Sequence, residues 1–191
     1  MTTPLEMERK RLYMFAIVPP ADLSDRIISI KKEFAEAYNC KAALKAPVHI
    51  TLHPPYKECE DHEAKARKIL SNWLGLLPRF TLNIRDFEAF HSNGVIFLNV
   101  EKNDDLIQLH AGLAKRMTNL LSPQIKDNQP YHPHITIGYR DIPKELFAQA
   151  VEDVQSRRFE ASFEVERAHF WRHNGKIWET IATFPLYNHS Q

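Results

Sequence analysis

His49-Ile50-Thr51-Leu52 and His134-Ile135-Thr136-Ile137 repeat one pattern, histidine–aliphatic–threonine–aliphatic, and begin nearly half of the 191-residue chain apart. Two copies would arise in only about 0.3% of random chains of this composition, so the pair stands above the noise of short motifs. On a β-strand successive side chains point to opposite faces. His49 and Thr51 therefore share one face and Ile50 and Leu52 the other, as do His134 with Thr136 and Ile135 with Ile137. Each strand anchors itself in a core and presents an imidazole beside a hydroxyl.

The segments around these strands alternate between strand and helix patterns. Arg11–Val18 is rich in β-formers and stops at Pro19-Pro20. Leu23, Ile27, Ile30, Phe34 and Tyr38 form a helical stripe with Asp22 or Ser24 as its cap. His49–His53 reads as a short strand ended by Pro54-Pro55. Ala66, Ile69, Leu70, Trp73 and Leu74 make a second helical face. Phe80–Phe90 and Val95–Val100 read as a hairpin through Ser92-Asn93-Gly94. Leu106, His110, Leu113, Met117 and Leu120 mark a third helix, His134–Tyr139 a strand, and Phe147, Ala150, Val151 and Val154 a fourth helix. Phe159–Trp171 and Lys176–Leu186 read as two closing strands around Asn174-Gly175. The stripes are core faces, and about four helices with seven strands give an α+β arrangement of largely antiparallel sheets.

Composition narrows the function classes. Lysine plus arginine number 25 against 24 aspartate plus glutamate, a net charge of +1. That excludes a broad electrostatic grip on long nucleic acid but leaves room for a pocket holding one phosphate. Only 5 glycines occur, none spaced as GxG or GxxxxGK[ST], so glycine-loop cradles for ATP or dinucleotides are not expected. Cys40 and Cys59 have no metal or redox spacing and read as free thiols in a reducing, cytoplasmic setting. The apolar run Leu12–Val18 after Lys10-Arg11 ends in prolines and follows Glu6 and Glu8, so it is a buried strand rather than a signal core. No stretch approaches the ~20 apolar residues of a membrane span.

If the two motif strands face each other, their chemistry is specific. An imidazole has an unperturbed pKa near 6.5, so at neutral pH one ring can accept a proton while its partner donates one. Two threonine hydroxyls can donate hydrogen bonds to the non-bridging oxygens of a phosphate between them. These are the parts for in-line displacement at phosphorus without a metal. A 2′,3′-cyclic phosphate, whose leaving alkoxide must be protonated, suits them. Such a pair should give a bell-shaped rate profile near neutrality, its limbs belonging to the pair.

The paired strands resemble those of the 2H phosphoesterases, which include bacterial 2′-5′ RNA ligase-like proteins and cyclic nucleotide phosphodiesterases. The resemblance spans most of the chain: the opening strand ending in prolines, the hairpin at Ser92-Asn93-Gly94, the helix before the second motif, and the final strand Ile177–Leu186. It implies an α+β, bilobal fold over 1–191, with two antiparallel sheets and flanking helices in pseudo-twofold symmetry around a central cleft. It further implies His49 and His134 as the acid–base pair, Thr51 and Thr136 as phosphate clamps, and no metal or cofactor. The expected partner is a nucleotide or RNA terminus bearing a cyclic phosphate or 2′-5′ linkage. A monomer with no obligatory protein partner is expected. Family members acting on RNA often carry a basic residue soon after the second motif. Here Gly138-Tyr139 intervene before Arg140, which by strand parity still shares the face of His134, as a phosphate contact or a rim residue.

The same parity places His53 beside His49 and His132 beside His134 as substrate contacts or solvated loop histidines. Tyr56, Tyr131 and Tyr139 are candidates for stacking on a base. Lys45 is expected to be exposed, and His62, His91, His110, His169, His173 and His189 to be structural or on the surface. Two other readings compete. His49-x3-His53 and His132-x-His134 resemble metal-ligand spacings, although strand geometry disfavours an HxxxH pair on one face. A non-catalytic nucleotide or RNA-end binding module would need the threonines and a cationic histidine without matched proton transfer.

Overall fold

In a computed structural model of the chain, residues 10–121 and 130–187 are described; His189 lies outside them. Their elements run β1 (Arg11–Ile17), α1 (Ala21–Tyr38), a 3-10 turn (Ala42–Lys45), β2 (Ile50–Glu58), α2 (His62–Leu74), β3 (Phe80–Phe90), β4 (Val95–Val100), α3 (Asp104–Leu120), β5 (His134–Gly138), α4 (Phe147–Gln155), β6 (Glu160–Val165), β7 (Arg167–His173) and β8 (Trp178–Pro185). The strands form two antiparallel sheets of four, in the orders β2-β1-β7-β8 and β5-β4-β3-β6. The architecture is α+β, with one motif in each sheet.

The two halves repeat a strand–helix–strand unit, β1-α1-β2 and β4-α3-β5, whose outer strands pair in the sheet. In both, the motif strand is the sheet edge. The linking helices cross over: α1 packs against β5, and α3 packs against β2. Each motif strand is therefore backed by a helix that follows a strand of the opposite sheet, which couples the two motifs mechanically. One apolar cluster runs through both halves, including Phe15, Ile27, Phe34, Ile50, Leu52, Leu98, Ile135 and Ile137.

The tightest point of that exchange is Gly138. A Cβ there would lie 2.4 Å from Cε1 of Phe34 on α1. Gly138→Ala should therefore destabilise the chain by about 1–3 kcal/mol, the usual cost of overpacking a filled site. Urea denaturation measures it, and an unchanged midpoint would show that β5 and α1 do not meet closely.

Several sequence expectations are corrected. β2 does not stop at Pro54-Pro55 but runs through them to Glu58. An edge strand tolerates prolines because one row of its N–H groups has no ladder partner. The expected strand Phe159–Trp171 is two strands, β6 and β7, which change sheets at Glu166, so eight strands are found among the described residues. α1 starts after Pro20 with no side-chain cap, and the Ser24 hydroxyl instead donates to the Pro19 carbonyl at 3.0 Å. Cys40 and Cys59, by contrast, are free thiols as expected. Among the described residues no helix is long and apolar enough to cross a membrane.

Candidate active site

The motif strands β2 and β5 are in contact. Ile50 and Leu52 are 0% and 2% exposed, Ile135 and Ile137 both 1%, whereas the two histidines and two threonines are half-buried. The aliphatic residues thus lock each strand into the core, and the polar ones remain on the other face. Three contacts tie the region together. The Tyr131 hydroxyl donates to the Thr51 carbonyl at 3.1 Å, and the Lys41 and Ala42 amides donate to Asp141 Oδ2 at 2.7 and 2.9 Å.

The two imidazoles are wired alike. His49 Nδ1 donates to the Pro47 carbonyl at 2.7 Å, and His134 Nδ1 to the His132 carbonyl at 2.7 Å. A carbonyl oxygen can only accept, so Nδ1 carries hydrogen in each ring and Nε2 of the neutral form keeps its lone pair. Each ring also leans on an aromatic wall. Trp171 of β7 stands edge-on to His49 with centroids 5.4 Å apart, while Phe90 and Phe97 lie 5.3 and 5.0 Å from His134. Carbonyl and wall together fix the direction in which each Nε2 points. The half-buried Thr51 and Thr136 share the polar face of their strands with His49 and His134.

Burial shifts both rings toward the uncharged form. Burial pushes the His49 pKa down to about 4, opposed by the Pro47 hydrogen bond and reinforced by Lys31 and His134. That His134 influences His49 places the two motifs within electrostatic reach of each other. Burial also lowers the His134 pKa, opposed by the His132 carbonyl and reinforced by the His132 ring. Desolvation disfavours an imidazolium without a counterion, and among the described residues no carboxylate shifts either ring. An incoming phosphate would supply the missing negative charge.

Two expected substrate contacts, His53 and Tyr56, are turned into the core, and a third, Arg140, stands exposed just beyond the motif strand. His53 is only 7% exposed and its ring stands edge-on to Tyr56 at 5.1 Å. The reason is a register shift against β1 between Phe15 and Ala16, which turns Leu52 and His53 inward in succession and breaks the parity that put His53 beside His49. Tyr56 is 2% exposed, with its hydroxyl 2.7 Å from His62 Nε2, and it packs beside Tyr13 and Phe15 in the core. Arg140 follows the end of β5 in a left-handed conformation, φ 67°, so parity does not extend to it; its guanidinium lies exposed over the Tyr139 ring at 5.1 Å. His132 packs between Phe90 and Phe97, 4.0 Å from Glu88. Tyr131 stacks on His110 at 3.7 Å rather than standing free.

Two features were not read from the sequence. Trp171 becomes the wall of His49 because β7 alternates Phe170 into the core and Trp171 onto the motif face, where it joins Met14 and Ala16. Lys31, 4% exposed on α1, points its ammonium at the Ala46 carbonyl 3.2 Å away. Its position in the stripe, four residues after Ile27 and four before Ala35, was the available signal. Two open cavities of about 320 and 580 Å³ lie away from the motif residues; the larger includes His169, which pairs across β1 with Thr51 through Ala16. Among the described residues, no three His, Cys, Asp or Glu side chains are placed to hold a metal ion.

A family model described as the 2′-5′ RNA ligase superfamily matches residues 19–177. A protein of Geobacillus kaustophilus (strain HTA426) named as a phosphoesterase is 30% identical over 175 residues, covering 90% of this chain and 94% of that protein. Among solved structures, E. coli LigT complexed with 3′-AMP has a TM-score of 0.72 at 23% identity, covering 96% of this chain and 100% of that one. A structure from Thermus thermophilus has a TM-score of 0.70 at 22% identity, with 92% and 97% covered. Both structures share the fold.

Proposed function

The chain belongs to the 2′-5′ RNA ligase superfamily, and from that premise we propose that it is a metal-independent phosphoesterase acting on a cyclic phosphate or 2′-5′ phosphodiester at a nucleotide or RNA end. The observation that carries this reading is the matched wiring of His49 and His134, each with Nδ1 bound to the carbonyl two residues before it and Nε2 left for chemistry. A neutral Nε2 takes a proton from the attacking water as its oxygen bonds to phosphorus. The second ring, protonated, gives its Nε2 proton to the departing ribose oxygen as that P–O bond breaks. Thr51 and Thr136 donate to the non-bridging oxygens and hold the phosphorus between the rings. Loss of the bond to O2′ of a 2′,3′-cyclic phosphate leaves a 3′-phosphate, and 3′-AMP is the nucleotide complexed with LigT. Each proton transfer contributes about 10²–10⁴ in rate.

The test is a panel of 2′,3′-cyclic nucleotides and 2′-5′ linked dinucleotides, assayed with wild type in chelator. Turnover of at least one, with the product phosphate on a single ribose oxygen, is the expected result. A wild type that binds these ligands but turns none over would make the site a binding module instead.

A further inference from the structure

The two motifs share their wiring, but what lies behind them differs. In the first half, residue 46 is three before the histidine, and its carbonyl accepts from the buried Lys31 ammonium at 3.2 Å. The next carbonyl, of Pro47, accepts from His49 Nδ1 at 2.7 Å. In the second half, the residue three before the histidine is Tyr131, and α3, the counterpart of α1, sends not a cation but His110, stacked on Tyr131 at 3.7 Å. One imidazole is thus backed by a buried ammonium two carbonyls away, and the other by a stacked pair of rings.

We propose that Lys31 is a positioning residue that makes the two histidines unequal, placing the shared proton on His134 and keeping His49 as the proton acceptor. This rests on the two-histidine reading above. The groups that act on His49 from the elements around it are Lys31 on α1, His134 on β5 and the Pro47 carbonyl, with the Trp171 ring of β7 as its uncharged wall. Of these, Lys31 stays a cation across the range in which imidazoles titrate. Burial lowers its pKa to about 8, which leaves it mostly protonated at neutrality. His134 has no such neighbour: the groups acting on it are the His132 ring and carbonyl. In the singly protonated pair, a phosphodiester entering between the rings therefore meets a base at His49 and an acid at His134, in one orientation. The carbonyl contact adds a mechanical part, since it pins the 46–47 segment that aims the His49 ring.

The experiment is a histidine NMR titration of the full chain without substrate, comparing wild type with Lys31→Met, Lys31→Gln and Lys31→Arg. Removing the unit charge behind the 46–47 segment should raise the His49 midpoint by about half a pH unit or more in Met and Gln. Arg, which keeps the charge, should leave it near the wild-type value, and the His134 midpoint should move less than that of His49. Gln retains a donor for the Ala46 carbonyl, so a shift in Gln equal to that in Met assigns the effect to charge. Met, apolar and similar in length, serves if Gln does not fold. An unchanged His49 midpoint in both Met and Gln would overturn the proposal, as would a shift in Arg as large as theirs. Because no substrate is present, this outcome is independent of whether the site turns over a phosphodiester.

Discussion

Replacing either His49 or His134 with alanine lowers kcat on a 2′,3′-cyclic nucleotide by about 10³-fold or more, and replacing both costs little beyond the first. Groups that act as a unit in one proton-relayed displacement are strongly non-additive, since loss of either ring removes the concerted step. The two side chains lie on separate sheets and share no hydrogen bond, so independent roles would instead multiply their effects. Affinity for the nucleotide should stay within about tenfold, because the threonine hydroxyls and aromatic walls remain. Single-turnover rates with saturating substrate read the first effect, and equilibrium binding of the product nucleotide reads the second. Fully multiplicative losses would mean that the rings serve different steps.

The second large effect is on folding. Phe170→Ala should destabilise the chain by about 3–5 kcal/mol, the usual cost of deleting a buried ring and leaving a cavity. Phe170 is 0% exposed and stacks on Phe15 of the neighbouring central strand, with centroids 4.3 Å apart and planes 4° apart; Tyr13 lies 5.5 Å away. A stacked pair of rings contributes stability beyond the area it buries. Phe170→Leu, which keeps most of the volume, should cost under about 2 kcal/mol. Urea denaturation measures both, and an alanine cost below about 1 kcal/mol would show that β1 and β7 do not share this stack.

Much of the fold was legible because its signals are local. The alternation Ile50/Leu52 and Ile135/Ile137 told which face of each motif strand is buried, and Gly94 and Gly175, at φ 66° and 103°, sit where the turn signals placed them. Other features were not legible, because they depend on the neighbour rather than the residue. Pro54-Pro55 end a strand only if both its edges are paired, and β2 is an edge. Strand parity fails wherever the partner slips register, which is why His53 turned inward, whereas Tyr56 keeps the parity of Ile50 and Leu52 and joins the core with them. The switch of sheets at Glu166 lies inside an uninterrupted β-forming run. The exchange of α1 and α3 between sheets has no sequence signature, because a stripe shows that a helix face is buried and not what buries it. Lys31 was readable in part: a lysine on an apolar stripe must find a partner, though which carbonyl it meets is decided by the 3-10 turn.

The proposed reaction needs one proton shared between two buried imidazoles, and the pH dependence of kcat/KM for wild type reads that requirement. Falling pH protonates both rings and removes the acceptor; rising pH strips both and removes the donor. Burial lowers His134 from its ordinary value and His49 to about 4, so the singly protonated pair is most populated on the acidic side, below the neutral optimum that unperturbed histidines would give. A bell with its maximum under about pH 6.5 is the expected result. A rate that stays level from acid to alkaline solution, with the chemical step limiting, would contradict it.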